Sequence, residues 1–423
     1  MHIVYLTQWF DPEPNVIKGP RFVRALQAAG HEVAVVTGFP NYPTGRLYPG
    51  YRLALFRREM IGGVSVTRLP LYPSHDASSL RRSLNYLSFF ASVLTYGLVR
   101  RQRFDLAYVY HPPITVGLAA ALSGMVRRLP FVLEIQDLWP DTVAATGMGS
   151  ARTVRLLDAL CRFVYRRAAA IIVQSEGMKR TLIARGVPAA KLATIRNWAG
   201  LEPMDGPAAT AARPQGFSIV YAGNHGRSQA LETVLDAAAI IEQKRDDIRF
   251  HFYSDGIEAE RLRARAAQMR LTTVRFHGHV PREEILLVLA QADALLLSLA
   301  QGRLFEMTIP SKTQTYLAMG RPIIAAIAGE TAELLRQSGA ARIVPPQDAP
   351  ALAEAVCAMA TLSSEQRDAM GAAGRRFYRE HLSFQTAIDR TLAVLGGIAE
   401  GGGRYPGTRR QPARAPASAG RSG

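Results

Sequence analysis

At 423 residues the chain is long for one hydrophobic core, and with 48% of its residues hydrophobic it reads as two globular domains of about 150–200 residues each. Cys161 and Cys357 stand far apart with no further Cys or His at ligand spacing, which excludes a disulfide framework and a zinc site. The net charge of +17 sits mainly in residues 1–200, with 25 Lys and Arg against 11 Asp and Glu, a balance that suits nucleic acid, anionic lipid or a phosphorylated substrate alike.

The start, Met1-His2-Ile3-Val4-Tyr5-Leu6, has no basic leader or small-residue cleavage site and predicts a strand over 2–7, with no export expected. A helix over 19–29 and a strand over 33–37 follow, a strand–loop–helix–strand unit of the nucleotide-binding kind without a dinucleotide fingerprint. Loops 8–18 and 38–46 lie beyond strand carboxyl ends, where α/β proteins hold ligands. Residues 80–103 predict a helix with arginines at both ends and sixteen uncharged residues, Leu84 to Val99, between them. That run is short of the roughly 18–20 residues that span a bilayer, and it fits either an interfacial helix on an anionic leaflet or a buried crossover helix. Strands over 105–110 and 131–135 run into His111-Pro112-Pro113 and Gln136-Asp137, so in a parallel sheet His111, Gln136 and Asp137 should approach one crevice. Helix 152–168, strand 169–174, helix 176–185 and strand 192–195 close the first domain near Trp198.

Residues 201–216 read as an Ala/Pro/Gly linker. Phe217–Ala222 starts a second alternation, and Gly223-Asn224-His225-Gly226-Arg227 lets a backbone approach phosphate with Arg227 able to fork onto it. Further strands are expected over 249–253, 274–276, 294–299 and 321–326, and helices near 350–360 and 364–379. A run over 381–398 could cross back to the first domain, and residues 399–423 read as a disordered tail. In Pro310-Ser311-Lys312-Thr313-Gln314, Ser311 and Gln314 have capping-box spacing, which predicts Ser311 as the helix cap. Lys312 in the first turn opposes the helix dipole unless an anion joins it or it points into water.

Two such domains with a basic phosphate loop in the second resemble the GT-B architecture, α/β with two Rossmann-like parallel-sheet domains facing across a cleft. The likeness is carried by Gly30-His31-Glu32-Val33, Tyr221-Ala222-Gly223-Asn224-His225-Gly226-Arg227, Asp255-Gly256, Phe276-His277-Gly278-His279-Val280-Pro281, Pro310-Ser311-Lys312 and Gly320-Arg321-Pro322. These motifs resemble retaining glycosyltransferase family four. Asn41-Tyr42-Pro43, His111-Pro112-Pro113 and Asp137-Leu138-Trp139-Pro140 resemble its branch for O-antigen, capsule and exopolysaccharide, over about residues 2–395.

The resemblance implies a nucleoside-diphosphate-sugar donor, UDP favoured over GDP, with its diphosphate on Arg227 and Lys312 and close backbone approach at Gly223 and Asn224. Asp255, His279 and Val280 would hold base and ribose. Family members commonly carry two glutamates with seven residues between them. Here those places are Met307 and Thr315, so Glu306, Gln314 and Thr315 are the remaining candidates for ribose and sugar contacts. Gly19, Asn41 and Gln136 would lie on the acceptor side, Gln136 standing where many relatives have histidine. Asp137 is the first candidate for orienting sugar or acceptor, His111 the second. No metal and no cofactor are implied.

The acceptor implied is a saccharide on an undecaprenyl-diphosphate-type lipid, with the protein cytoplasmic and peripheral on the anionic inner face of the membrane. Two other readings stand: a sugar-nucleotide 2-epimerase of the same fold, and a non-catalytic basic protein of membranes or nucleic acid. No base-stacking motif supports nucleic acid as a partner.

Overall fold

The computed structural model describes residues 1–14, 17–74, 78–111, 113–145, 150–200 and 216–400. The first sheet holds β1 (His2–Leu6), β2 (Glu32–Gly38), β3 (Arg57–Ile61), β4 (Val64–Leu69), β5 (Leu106–His111), β6 (Phe131–Ile135), β7 (Ala170–Val173) and β8 (Leu192–Thr194). Its order is β3-β4-β2-β1-β5-β6-β7-β8, parallel except for the β3–β4 pair. The second sheet holds β9 (Phe217–Ala222), β10 (Ile248–Tyr253), β11 (Val274–Gly278), β12 (Ala294–Ser298), β13 (Ile323–Ala326) and β14 (Ala341–Val344). Its order is β11-β10-β9-β12-β13-β14, parallel throughout.

Strands β6, β7, β12 and β13 are buried along their whole length and apolar except for Glu134 in β6 and Ser298 in β12, as parallel strands covered on both faces tend to be. In each sheet the winding reverses once, between β1 and β5 and between β9 and β12. Loops leaving neighbouring strands on either side of such a reversal part and open a crevice at the carboxyl edge. The segments after β1, β5, β9 and β12 are therefore the ones that meet across the cleft.

Several details depart from the sequence reading. The helix expected over 80–103 runs Ser79–Val99; Arg100 turns extended (ψ 139°), so the basic cluster after it is not helical. The hairpin of β3 and β4, joined at Gly62 and Gly63 with φ of +55° and +81°, was masked by its polar, arginine-rich first strand. Residues 201–215 of the expected linker and 401–423 of the expected tail lie outside the described residues. Residues 399 and 400, assigned to that tail, close the helix Phe384–Glu400.

The chain returns to the first domain at its end. Helix Ser364–His381 packs on the second domain, where Tyr378 and Leu382 join the core around Leu295 and Ile323. The next helix, Phe384–Glu400, places Ala387, Ile388, Leu395 and Ile398 in the first-domain core with Ile3, Phe22 and Trp198. Phe384 meets Trp198 edge-on at 4.9 Å between centroids, and the Arg21 guanidinium lies 4.0 Å over the Phe384 ring.

One ion pair sits wholly inside this core. Lys18 Nζ lies 3.0 Å from Glu134 Oε2 with both side chains 1% exposed, and Lys18 also stands 4.1 Å over Phe22 and 4.9 Å over Trp198. Tyr108 donates its hydroxyl to the same carboxylate. Burial pulls the Lys18 pKa down, against the opposing pull of Glu134. Breaking such a pair from one side strands a charge. Glu134→Gln should cost about 3–5 kcal/mol, and adding Lys18→Met should restore much of it, read by urea unfolding followed through tryptophan fluorescence.

Candidate active site in the interdomain cleft

Two connected chambers lie between the domains. The larger, about 830 Å³, has Gly223, Asn224, Gln229 and Lys312 on one wall and Tyr253, Ser254, His279 and Val280 on another. Pro14, Ile17, Tyr110 and Gly200 of the first domain close it. Lys312 occupies the first turn of helix Ser311–Met319, whose N-cap is Pro310 and whose first N–H groups have no side-chain cap. Its ammonium donates to Gln229 Oε1 at 2.7 Å and Tyr221 Oη at 2.5 Å and stands 4.1 Å over the Tyr221 ring. All of these partners are neutral. Desolvation without a counter-charge lowers the Lys312 pKa to about 7. Gly223, at φ +143°, makes the approach possible: a Cβ there would sit 2.7 Å from Lys312 Cε. A half-buried cation, a helix N-terminus without a side-chain cap and a side-chain-free wall together favour an anion.

The expected capping box does not form. Ser311 is the first helical residue, and the Gln314 amide donates back to the carbonyls of Pro310 (2.8 Å) and Ser311 (3.1 Å). Gln314 is buried and lines the smaller chamber, whereas Thr315 lines the larger one. Arg227 does not join Lys312: its side chain is 84% exposed and pairs with Glu258 at 2.9 Å. Asp255 is exposed and caps the Gly256 N–H at 3.0 Å, leaving Tyr253 and Ser254 of the same turn on the wall. Glu306 faces away from both chambers, into a crevice it shares with Arg180, Arg196, Glu330 and Glu333.

The smaller chamber, about 340 Å³, is lined by Gln136, Asp137, Gln174, Asn197 and Gln314, and meets the larger one at Phe305, Thr308, Pro310 and Ser311. Gln136 is fixed from both sides: Nε2 donates to Glu134 Oε1 at 2.9 Å, and Oε1 accepts from Asn197 Nδ2 at 2.9 Å. The buried pair of the core thus orients an amide in the cleft. Asp137 reaches the chamber with its side chain exposed to the cleft, and the neighbouring protein raises its pKa. His111 ends β5 at this edge, and its side chain lies outside the described residues.

The other two acceptor-side candidates line neither chamber. Gly19 is the buried N-cap of helix Pro20–Ala28. Asn41, 1% exposed, donates its side chain to the Phe39 carbonyl at 2.9 Å and its backbone N–H to Glu13 at 2.8 Å. Glu13 also accepts from Phe10 and Tyr42, tying the loops after β1 and β2 together, and burial raises its pKa to about 7.

The segment between the chambers is held from the first domain. The Ser175 hydroxyl donates to the Met307 carbonyl at 2.5 Å. Glu330 accepts from the backbone of Glu176 and Gly177 at 2.8 and 2.6 Å, a carboxylate at the N-terminus of helix Glu176–Ala184, and pairs with Arg196 at 3.3 Å. Sequence reasoning missed Gln174, Asn197, Ser175 and Glu330. Gln174 and Ser175 follow β7 as Gln136 follows β6, and the same strand-end rule would have found them. Asn197 lies two residues past the strand expected over 192–195, as Asp137 does past 131–135, and the same rule reaches it; Glu330 has no such signal.

Two facing parallel-sheet domains with the ligand-ready cleft at their carboxyl edges define the GT-B class of glycosyltransferase. Sucrose-phosphate synthase from Thermosynechococcus elongatus superposes with a TM-score of 0.71 at 17% identity, over 95% of this chain and 100% of that one. HepE of Anabaena, solved in complex with UDP-glucose, gives 0.65 at 14% identity over 94% and 99%. A Glycosyl transferase 4-like domain matches residues 20–198, and a Glycosyl transferases group 1 domain matches residues 216–361. The colanic acid biosynthesis protein WcaI of Escherichia coli (strain K12), described as a glycosyl transferase, is 28% identical over 313 residues, 70% of this chain and 76% of its own length. The chain belongs to the group 1 glycosyltransferases of family four, in the branch that serves exopolysaccharides.

The environment of Lys312 has a pH signature. Its folded pKa, about 7, lies below the ordinary lysine value of 10.5, so between these values the unfolded chain binds the extra proton and stability rises with pH. Below about pH 7 the full penalty is present. Lys312→Met should therefore raise the thermal midpoint of the ligand-free protein at pH 6, with the gain shrinking as pH rises toward 10.

Proposed function

We propose that the enzyme moves a sugar from a nucleoside-diphosphate sugar, UDP-linked in preference to GDP-linked, to a saccharide on an undecaprenyl-diphosphate-type lipid, with retention of anomeric configuration, in building a cell-surface polysaccharide. The observation that carries this reading is Lys312, a half-buried ammonium with neutral partners at a helix N-terminus without a side-chain cap, in the cleft between two domains. The nucleotide complex of HepE and the naming of WcaI for colanic acid support the donor and pathway class.

In this reading the diphosphate lies on Lys312 and the backbone around Gly223 and Asn224, with base and ribose toward Tyr253, Ser254, His279 and Val280. Thr315 is available to the ribose. Arg227 would have to leave Glu258 to join the phosphates. As the bond from the anomeric carbon to the diphosphate oxygen breaks, charge grows on the leaving group, where Lys312 and the helix dipole stabilise it. The acceptor oxygen bonds the anomeric carbon from the same face, and its proton passes to the leaving phosphate. Asp137 orients sugar or acceptor, with His111 the second candidate for that role.

The test is thermal stabilisation by UDP, GDP and ADP in the presence of EDTA. UDP should raise the midpoint at pH 7 and Lys312→Met should abolish the shift; no shift with any of the three would overturn the donor site. Bound phosphate should also raise the Lys312 pKa from about 7, so UDP binding should take up a proton above that pH, read as a buffer-dependent heat in calorimetry.

The first domain supplies the membrane-facing side of the proposal, at the inner leaflet of the cell. Leu80, Leu84 and Leu87 are exposed on helix Ser79–Val99, beside exposed Arg81. Leu53, Leu55 and Phe56 are exposed between Arg52 and Arg57-Arg58. No helix among the described residues is long and apolar enough to cross a membrane. Phosphatidylglycerol vesicles should retain the protein and phosphatidylcholine vesicles should not. Arg57→Gln with Arg58→Gln should weaken retention by about 2 kcal/mol.

A further inference from the structure

The smaller chamber has a chemical bias of its own. Asp137 contributes a carboxylate, which only accepts hydrogen bonds, and it makes no ion pair among the described residues. Gln174 is 9% exposed; its Nε2 donates to Glu134 at 3.3 Å, and its buried Oε1 has no partner. Gln314 gives its N–H groups to the carbonyls of Pro310 and Ser311, and Asn197 gives one to Gln136. The open polar capacity is therefore weighted toward acceptors.

No Lys or Arg lines this chamber among the described residues. The cations behind its walls each pair with a carboxylate through Nη2, while Arg185 Nη1 and Arg196 Nε have no partner among the described residues. Arg185 sits 2.6 Å from both oxygens of Asp141, and Arg196 faces Glu330. Lys312 opens onto the larger chamber.

Sugar hydroxyls donate hydrogen bonds and match such a lining. A sugar carboxylate brings two more acceptors and a second negative charge, with no cation lining the chamber to meet it and the exposed carboxylate of Asp137 already in place. From this juxtaposition we infer that the smaller chamber seats the transferred sugar and selects a neutral, hydroxyl-bearing one, excluding sugars that carry a carboxylate, with Asp137 as the discriminating residue. The inference rests on the donor-site reading above and adds the class of sugar.

The experiment is titration calorimetry of the full chain with UDP, UDP-glucose, UDP-galactose, UDP-N-acetylglucosamine, UDP-glucuronic acid and UDP-galacturonic acid, on wild type and Asp137→Asn. In wild type each uronate conjugate should bind about tenfold more weakly than its neutral counterpart, the repulsion expected of two close carboxylates in a cleft. Asp137→Asn should shrink that ratio severalfold while leaving the affinity for UDP itself unchanged, which also shows that the variant is folded. Glu306→Gln, outside both chambers, should leave the ratio as in wild type.

Equal binding of uronate and neutral conjugates, with UDP bound, would overturn the inference and leave the donor site standing. Discrimination that survives Asp137→Asn would remove Asp137 from the role assigned to it. Failure of UDP itself to bind would bring down the donor-site reading and this inference with it.

Discussion

The cleft is organised by one charge that the protein does not neutralise. Lys312 is carried into a desolvated position by the first turn of a helix, at the end where the backbone is already electropositive. A folded protein tolerates this only where something outside it supplies the missing negative charge. The surroundings follow from that need. Gly223 yields space, Tyr221 and Gln229 offer neutral oxygens, and among the described residues no carboxylate pairs with the lysine. A structural salt bridge here would stabilise the empty enzyme and weaken its hold on an anionic ligand.

The first domain handles its buried charges in the opposite way. Lys18 and Glu134 close on each other inside the core, and the carboxylate then orders Gln136 and Gln174 at the cleft. Glu13 likewise spends its buried oxygens on backbone N–H groups and fixes the loops after β1 and β2. The first domain thus pairs its buried charges within the protein, and the second leaves Lys312 to a partner from outside. That contrast separates positioning from binding within a single site.

The alternation of apolar strands with amphipathic helices was legible because parallel strands buried on both faces have few other ways to be written. Strand-end residues such as Gln136 and Asp137 were legible for the same reason, since a parallel sheet delivers all its carboxyl ends to one edge. Side-chain direction was not. Arg227 and Lys312 look equivalent in sequence, yet Glu258, thirty-one residues from Arg227, draws the first outward. Gln314 fits a capping pattern, but Pro310 takes the cap position and Gln314 turns inward. Glu306 stands one place from a family position, and on a four-residue helix one place is about 100° of rotation, enough to face another crevice. The contacts of Ser175 and Glu330 join segments more than a hundred residues apart, beyond the reach of any local pattern.

The closing helix, Phe384–Glu400, has a consequence for how the molecule is made. Its apolar face completes a core begun at Ile3, so the first domain is assembled from two ends of the chain with the whole second domain inserted between them. During synthesis the amino-terminal part emerges with Phe22, Trp198 and their neighbours still lacking their last layer. It must wait through some two hundred further residues, about 10–40 s at ordinary elongation rates, before that layer arrives. The second domain is contiguous and can finish first. Maturation of the first domain is thereby a late event, and the nascent chain presents an unfinished apolar face for chaperones to guard.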